Sequence, residues 1–288
     1  MHRFACTLLI CFAACDNSAP AAVPATDDFV PTAFTVEVTG HGRPVILIPG
    51  LGCPGSVWRA TVAHLDGYQT HVLTLAGFAG NPRIDGPLAK ETREQLAHYI
   101  RAHDLHAPVI VGHSMGGMIA YWLAESDPDL VGPTIIVDSG AALGSDSSAR
   151  KSEGANIRDM WKNASDEQYV GQVRGIFGSM AVHRDRLAKY LDEIQKSDRA
   201  AIGDAVYELY TTDVRGDLSH IRTPVLAVLA DGSSQETFKK DASTVPNHTV
   251  VVVPNTGHFV MLDDPEHFDG AIDHFLIANV SPVGIASR

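Results

Sequence analysis

At 288 residues, with 45% hydrophobic and 19% charged side chains, the chain has the composition of an ordinary globular protein and length enough for one large α/β domain with an insertion. Its formal net charge of −12 and its lack of basic clusters exclude a nucleic-acid partner, whose phosphates require such a surface. The same charge argues against a substrate drawn in by a strong negative charge of its own.

The first residues read as processing signal. Arg3 supplies a minimal positive start, and Phe4 to Ala14 is apolar but too short to span a bilayer. Phe12-Ala13-Ala14-Cys15 is similar to a bacterial lipobox, so residues 1–15 are expected to be a signal peptide ending at a lipidated Cys15. That predicts a membrane tether on the periplasmic side of a bacterial cell envelope, with plain secretion as the second expectation. Residues 16–31, rich in alanine and proline, read as a flexible tether. Cys6, Cys11 and Cys15 all fall in the signal, which leaves Cys53 alone in the mature part and excludes an intrachain disulfide there. The histidines show no metal-ligand spacing and no CxxC or HExxH occurs, so neither a metal nor a cofactor is expected.

Phe34 to Val38 alternates as a strand, and Val45 to Ile48 is a continuous apolar run of the kind buried on both faces of a parallel sheet. Pro49-Gly50-Leu51-Gly52 forms a loop before a helix over Val57 to Leu65, with Trp58 facing inward. Thr70 to Leu75 predicts a strand and Leu88 to His103 a helix, with Leu96, Tyr99 and Ile100 on one face. Val109 to His113 is a buried strand, Met115 to Glu125 a helix that stops before Asp127-Pro128, and Thr134 to Val137 a strand closed by Asp138-Ser139-Gly140. Strands then disappear until about His220, and amphipathic helices are expected over Asp166 to Phe177, Arg184 to Gln195 and Arg199 to Tyr210. The alternation resumes with a strand over Val225 to Ala230, a helix over Gln235 to Ala242, a strand over Thr249 to Val253 and a helix over Pro265 to Ala278.

This alternation predicts a doubly wound, mostly parallel sheet that binds ligands beyond the carboxyl ends of its strands. Residues 32–140 and 221–288 form the expected core, and residues 141–220 a helical cap over the same edge.

The chemistry is concentrated at Gly112-His113-Ser114-Met115-Gly116. It fits the G-x-S-x-G nucleophile elbow and has the required strand before it and helix after it. A serine hydroxyl is a useful nucleophile only when exposed on a strained turn beside a base. The N–H of Met115, opening the helix, is suited to stabilise an oxyanion.

The Pro49-Gly50-Leu51-Gly52 loop, the Ser114 elbow and Asn255-Thr256-Gly257-His258-Phe259 after the last strand together resemble the α/β-hydrolase fold family over nearly the whole mature length. The resemblance implies that Ser114 is the nucleophile, His258 the general base, and the N–H groups of Leu51 and Met115 the oxyanion hole. It places the cap after the family's sixth strand, here Thr134 to Val137. Two aspartates compete as the third triad member. Asp138 follows that sixth strand, while Asp231 follows the seventh, two residues ahead of the usual position, which Ser233 occupies. Asp263 and Asp264 read as a solvated helix cap. Phe78 and Cys53 are each open to a core or a pocket role, whereas His113, Met118 and Trp122 read as packing residues. The implied reaction is hydrolysis of a carboxylic ester or lactone on a small-molecule acyl substrate. Amide, acyl-homoserine lactone and perhydrolase chemistry are alternatives on the same site, and a non-catalytic envelope binding protein is the other class. Met160, Trp161, Phe177 and Met180 are expected to set chain-length preference.

Overall fold

The computed structural model describes residues 29–143, 147–232 and 234–280; the predicted signal peptide and most of the tether lie outside them. The strands are β1 (Phe34–Gly40), β2 (Arg43–Ile48), β3 (Tyr68–Leu75), β4 (Val109–His113), β5 (Thr134–Val137), β6 (Val225–Ala230) and β7 (His248–Val253). They form one sheet in the order β1-β3-β2-β4-β5-β6-β7, in which β1 alone runs antiparallel, against β3. Every residue of β4, β5 and β6 is buried. Helices cover both faces, which is why these strands read as unbroken apolar runs.

Around the sheet lie α1 (Arg59–His64), α2 (Leu88–Ala102), α3 (Met115–Ser126), α8 (Gln235–Ala242), α9 (Val260–Asp263) and α10 (Pro265–Asn279). A 3-10 turn over Gly55–Trp58 precedes α1, so the predicted helix starts with a tighter turn, and Trp58 is fully buried. The apolar stripe of α2, including Leu96, Tyr99 and Ile100, faces inward as its periodicity predicts.

Between β5 and β6 the chain leaves the sheet and forms α4 (Ser147–Lys162), α5 (Asp166–Ile176), α6 (Arg184–Ile194) and α7 (Arg199–Thr211). The strand counted sixth by resemblance is thus the fifth of the seven described. Helix α4 was not among the predicted segments; its apolar residues are too sparse to announce a stripe, and packing against α7 holds it. Clear starts mark two of the others. Ser165 and Gln168 form a reciprocal capping box on α5, and the Asp198 carboxylate accepts from the N–H groups of Ala200 and Ala201 on α7.

The insertion's two ends meet at its root. Ala142 and Asp213 pair as an antiparallel bridge, and the N–H of Val214 donates to the carbonyl of Ala141. Asp213 is ion-paired with Arg150 and Arg215, and its hydrogen bonds from Arg215 lower its pKa to about 2. The buried Asp241 on α8 accepts from the Ala141 N–H at 2.9 Å.

One boundary differs from expectation at the N-terminus. Phe29, assigned to the tether, stacks on His98 of α2 with ring centroids 3.9 Å apart. Among the described residues no helix is long and apolar enough to cross a membrane.

Candidate active site

The turn from β4 into α3 is tight because two residues lack a Cβ. A Cβ on Gly112 would lie 2.2 Å from the carbonyl oxygen of Gly116, and one on Gly116 would lie 2.3 Å from that of Ile48 at the end of β2. This close approach lets Ser114 sit between strand and helix at φ 54°, ψ −120°, a conformation that costs energy for a residue with a side chain. The Ser139 hydroxyl donates to the Ser114 carbonyl at 2.7 Å and holds the turn from the β5 side.

His258 lies in the loop after β7, and its ring is fixed from β5. Nδ1 donates to Asp138 Oδ2 at 2.6 Å, while Asp138 Oδ1 accepts from the N–H of Ala230, in β6, at 2.9 Å. Asp138 is 6% exposed and its backbone has φ 42°. Its carboxylate therefore bridges a strand amide and the imidazole, an arrangement that fixes the tautomer and leaves Nε2 as the ring's proton acceptor. Nε2 has no protein hydrogen bond among the described residues. Asp231, the competing acid, is exposed and makes no hydrogen bond to His258 among the described residues.

Ser114, His258, Asp138, Leu51 and Met115 all line one cavity of about 680 Å³. Met115 opens α3, where first-turn N–H groups have no intrahelical acceptor, and the Leu51 N–H makes no backbone hydrogen bond among the described residues. Both N–H groups thus belong to cavity-lining residues and are free to donate, as an oxyanion hole requires.

His113 and Cys53 also reach the wall. The His113 Nε2 donates to the His258 carbonyl at 2.9 Å, and its Nδ1 is buried without a partner. Burial, and then the neighbouring His258, push the pKa of His113 well below the usual histidine value, so the ring stays neutral. Burial pushes the Cys53 thiol up to about 12, which keeps it protonated and unreactive as a nucleophile. Phe78 is fully buried in the core and Trp122 packs under Arg93, so neither borders the cavity. Met118 does border it.

Asp263 differs most from its sequence reading. It is 3% exposed rather than solvated, and its carboxylate accepts from three backbone N–H groups: Val182 at 3.0 Å, His183 at 2.7 Å and Gly257 at 2.8 Å. The His258 N–H also donates to the Met180 carbonyl at 2.7 Å. The segment between α5 and α6 is therefore bonded directly to the histidine loop. Asp264 does cap α10, accepting from the His267 N–H. No local pattern could have revealed Asp263's role, because two of its partners lie 80 and 81 residues away.

The insertion closes the rest of the cavity with Ile157, Met160, Trp161, Phe177, Met180 and Leu209 among others. Glu125, Asp217 and His220 are near enough to one another to share an ion, but they do not line this cavity.

Comparison with known proteins agrees with this fold. The model of the alpha/beta hydrolase family matches residues 45–268. The chain belongs to that family. RutD of Serratia proteamaculans, a carbamate hydrolase by name, is 27% identical over 251 residues, spanning 81% of this chain and 92% of its own. A pimeloyl-[acyl-carrier protein] methyl ester esterase of Aeromonas hydrophila is 25% identical over 267 residues, spanning 84% and 98%. Among solved structures, MenH from S. aureus superposes with a TM-score of 0.75 at 15% identity, over 86% of this chain and 98% of its own. As an alpha/beta hydrolase with hydrolase and esterase relatives, the chain is an enzyme of that fold.

Proposed function

We propose that this protein is a serine hydrolase that cleaves a carboxylic ester or lactone through an acyl-enzyme on Ser114. The observation that carries the reading is the 2.6 Å hydrogen bond between His258 and the buried Asp138, in the cavity that Ser114 borders from its strained turn. In this mechanism Ser114 Oγ attacks the substrate carbonyl carbon as His258 Nε2 takes its proton. The carbonyl oxygen becomes an oxyanion that accepts from the N–H groups of Leu51 and Met115. Collapse breaks the bond to the leaving alcohol, which takes the proton from His258. Water then attacks the acyl-enzyme, His258 again accepts a proton, and the acid leaves as Ser114 recovers its hydroxyl.

Asp138 supports each proton transfer by holding the imidazole and stabilising its cation. Labelling by a fluorophosphonate, lost in Ser114→Ala, together with turnover of p-nitrophenyl esters tests the reading. A wild-type chain that takes up no probe and hydrolyses no ester rules it out. Carbamate or amide cleavage on the same serine is the second reading, favoured by the RutD relatives. Matched ester and carbamate substrates of one acyl group separate the two.

For the cell, we propose a lipid anchor on Cys15 that holds the enzyme at the envelope, acting on small acyl substrates without nucleic acid. Palmitate incorporation that disappears in Cys15→Ala is the expected result, and incorporation unchanged by that substitution would exclude the anchor.

A further inference from the structure

The wall of the cavity over Ser114 carries no lysine and no arginine among the described residues. Its other ionisable groups are already engaged or shifted toward their neutral forms. Asp138 and His258 are bonded to one another, His113 is neutral, and the Cys53 thiol and Tyr210 hydroxyl are both shifted upward by burial. Four cations of the insertion are held by carboxylates away from the cavity: Lys162 by Asp204, Arg174 by Asp192, Arg199 by Asp166 and Arg215 by Asp213. Arg186 donates to the carbonyls of Leu262 and Asp263.

What the wall does offer is apolar surface that starts at the oxyanion loop. Phe177 lies against Gly52, where an added Cβ would come within 3.4 Å of its Cζ, and its ring is followed by that of Trp161 at a centroid distance of 6.3 Å. Ile157, Met160, Met180 and Leu209 extend this surface.

We propose that the substrate's acyl group is uncharged and apolar, and that the site discriminates against acyl chains bearing a second carboxylate. The proposal rests on the serine-hydrolase reading of Ser114. An apolar chain gains from every methylene it withdraws from water against this wall. A carboxylate drawn against this apolar surface loses its hydration and meets no lysine or arginine to replace it.

The test compares p-nitrophenyl octanoate with the p-nitrophenyl half-ester of octanedioic acid, which has the same chain length and a terminal carboxylate. Both are assayed on the whole protein at neutral pH, with labelling by a short-chain fluorophosphonate as the report on Ser114. The neutral ester is expected to have a kcat/KM larger by about a hundredfold, the equivalent of two decades in affinity for the transition state. Met160→Lys and Ile157→Lys each add a cation at a partly exposed position of the wall, and each should shrink that ratio by about tenfold through the half-ester's KM. A wild-type ratio within about threefold of unity, or in favour of the half-ester, overturns the proposal whether or not the variants fold. If Ser114 is labelled but neither octanoyl ester turns over, the proposal fails and the hydrolase reading stands. If Ser114 takes up no label, both fall.

Discussion

The carboxyl edge of the sheet and the helical insertion face each other across one cavity, and they are built on different physics. At the sheet edge, position is set by backbone. Ser114 and Asp138 both sit at positive φ at the ends of fully buried strands, and the Ala230 amide fixes the Asp138 carboxylate. In the insertion, the end of α4 and the turn after α5 bring Met160, Trp161 and Phe177 to the cavity, and ion pairs such as Arg174–Asp192 lie outside. A strained backbone held by strands tolerates little displacement, whereas side chains on helices can be exchanged one at a time. On the proposed function, reaction chemistry would belong to the first region and substrate choice to the second.

The largest expected effect tests the sheet edge. Asp138→Asn should lower kcat by about 10⁴-fold, because the imidazole loses both its tautomer preference and its charge partner. Asp231→Asn, at an exposed site, should stay within about twofold, and a reversed pattern in steady-state kinetics would transfer the acid role to Asp231. Asp263→Ala joins the two regions in one measurement. It leaves three part-buried N–H groups without their carboxylate acceptor, and because water can reach them in part, urea unfolding should show a loss of about 1–3 kcal/mol in all. A fall in kcat of about ten- to a hundredfold should accompany it, with Asp263→Asn partly rescued because its amide oxygen still accepts. Unchanged kcat in a folded Asp263→Ala protein would separate the regions.

Within the insertion, Phe177→Ala should cost about 3 kcal/mol in stability and raise KM for octanoyl esters more than for acetyl esters, with kcat little changed. An equal fall in kcat for both esters would move Phe177 out of the binding wall.

The smallest effect concerns acid. Burial, and then the nearby His103, lower the His71 pKa from 6.5 to about 4, so the unfolded chain binds more protons than the folded one between those values. His71 therefore contributes stability above pH 6.5 that is lost as pH falls toward 4. Asp213 at the insertion's root has a pKa lowered from 3.8 to about 2, and its contribution is lost only below 3.8. Mild acid should thus weaken the core before the insertion's root. Denaturation at pH 7 and pH 5 should show a slope that is reduced in His71→Gln.

Legibility in the sequence followed the range of the interactions. The Ser114 elbow is readable because its glycines, strand and helix are contiguous, and the parallel sheet because its strands are apolar throughout. The choice between Asp138 and Asp231 was not readable, since it depends on how β5 and β6 lie side by side at Ala230. Asp263 resembled a surface cap because its neighbours in sequence are Asp264 and Pro265, while the groups that bury it come from a distant segment. Helix α4 lacked a stripe of its own and is defined by its contact with α7.

The Asp263 bonds bear on how such a protein can be recombined. A cap taken from a relative and joined at residues 142 and 213 would restore covalent continuity, but it would also have to bring two backbone N–H groups and one carbonyl to the histidine loop, as Val182, His183 and Met180 do here. Chimeras that omit them should fold around an intact sheet yet hold His258 loosely. On the proposed function, specificity should therefore be exchangeable residue by residue, but not as a whole module.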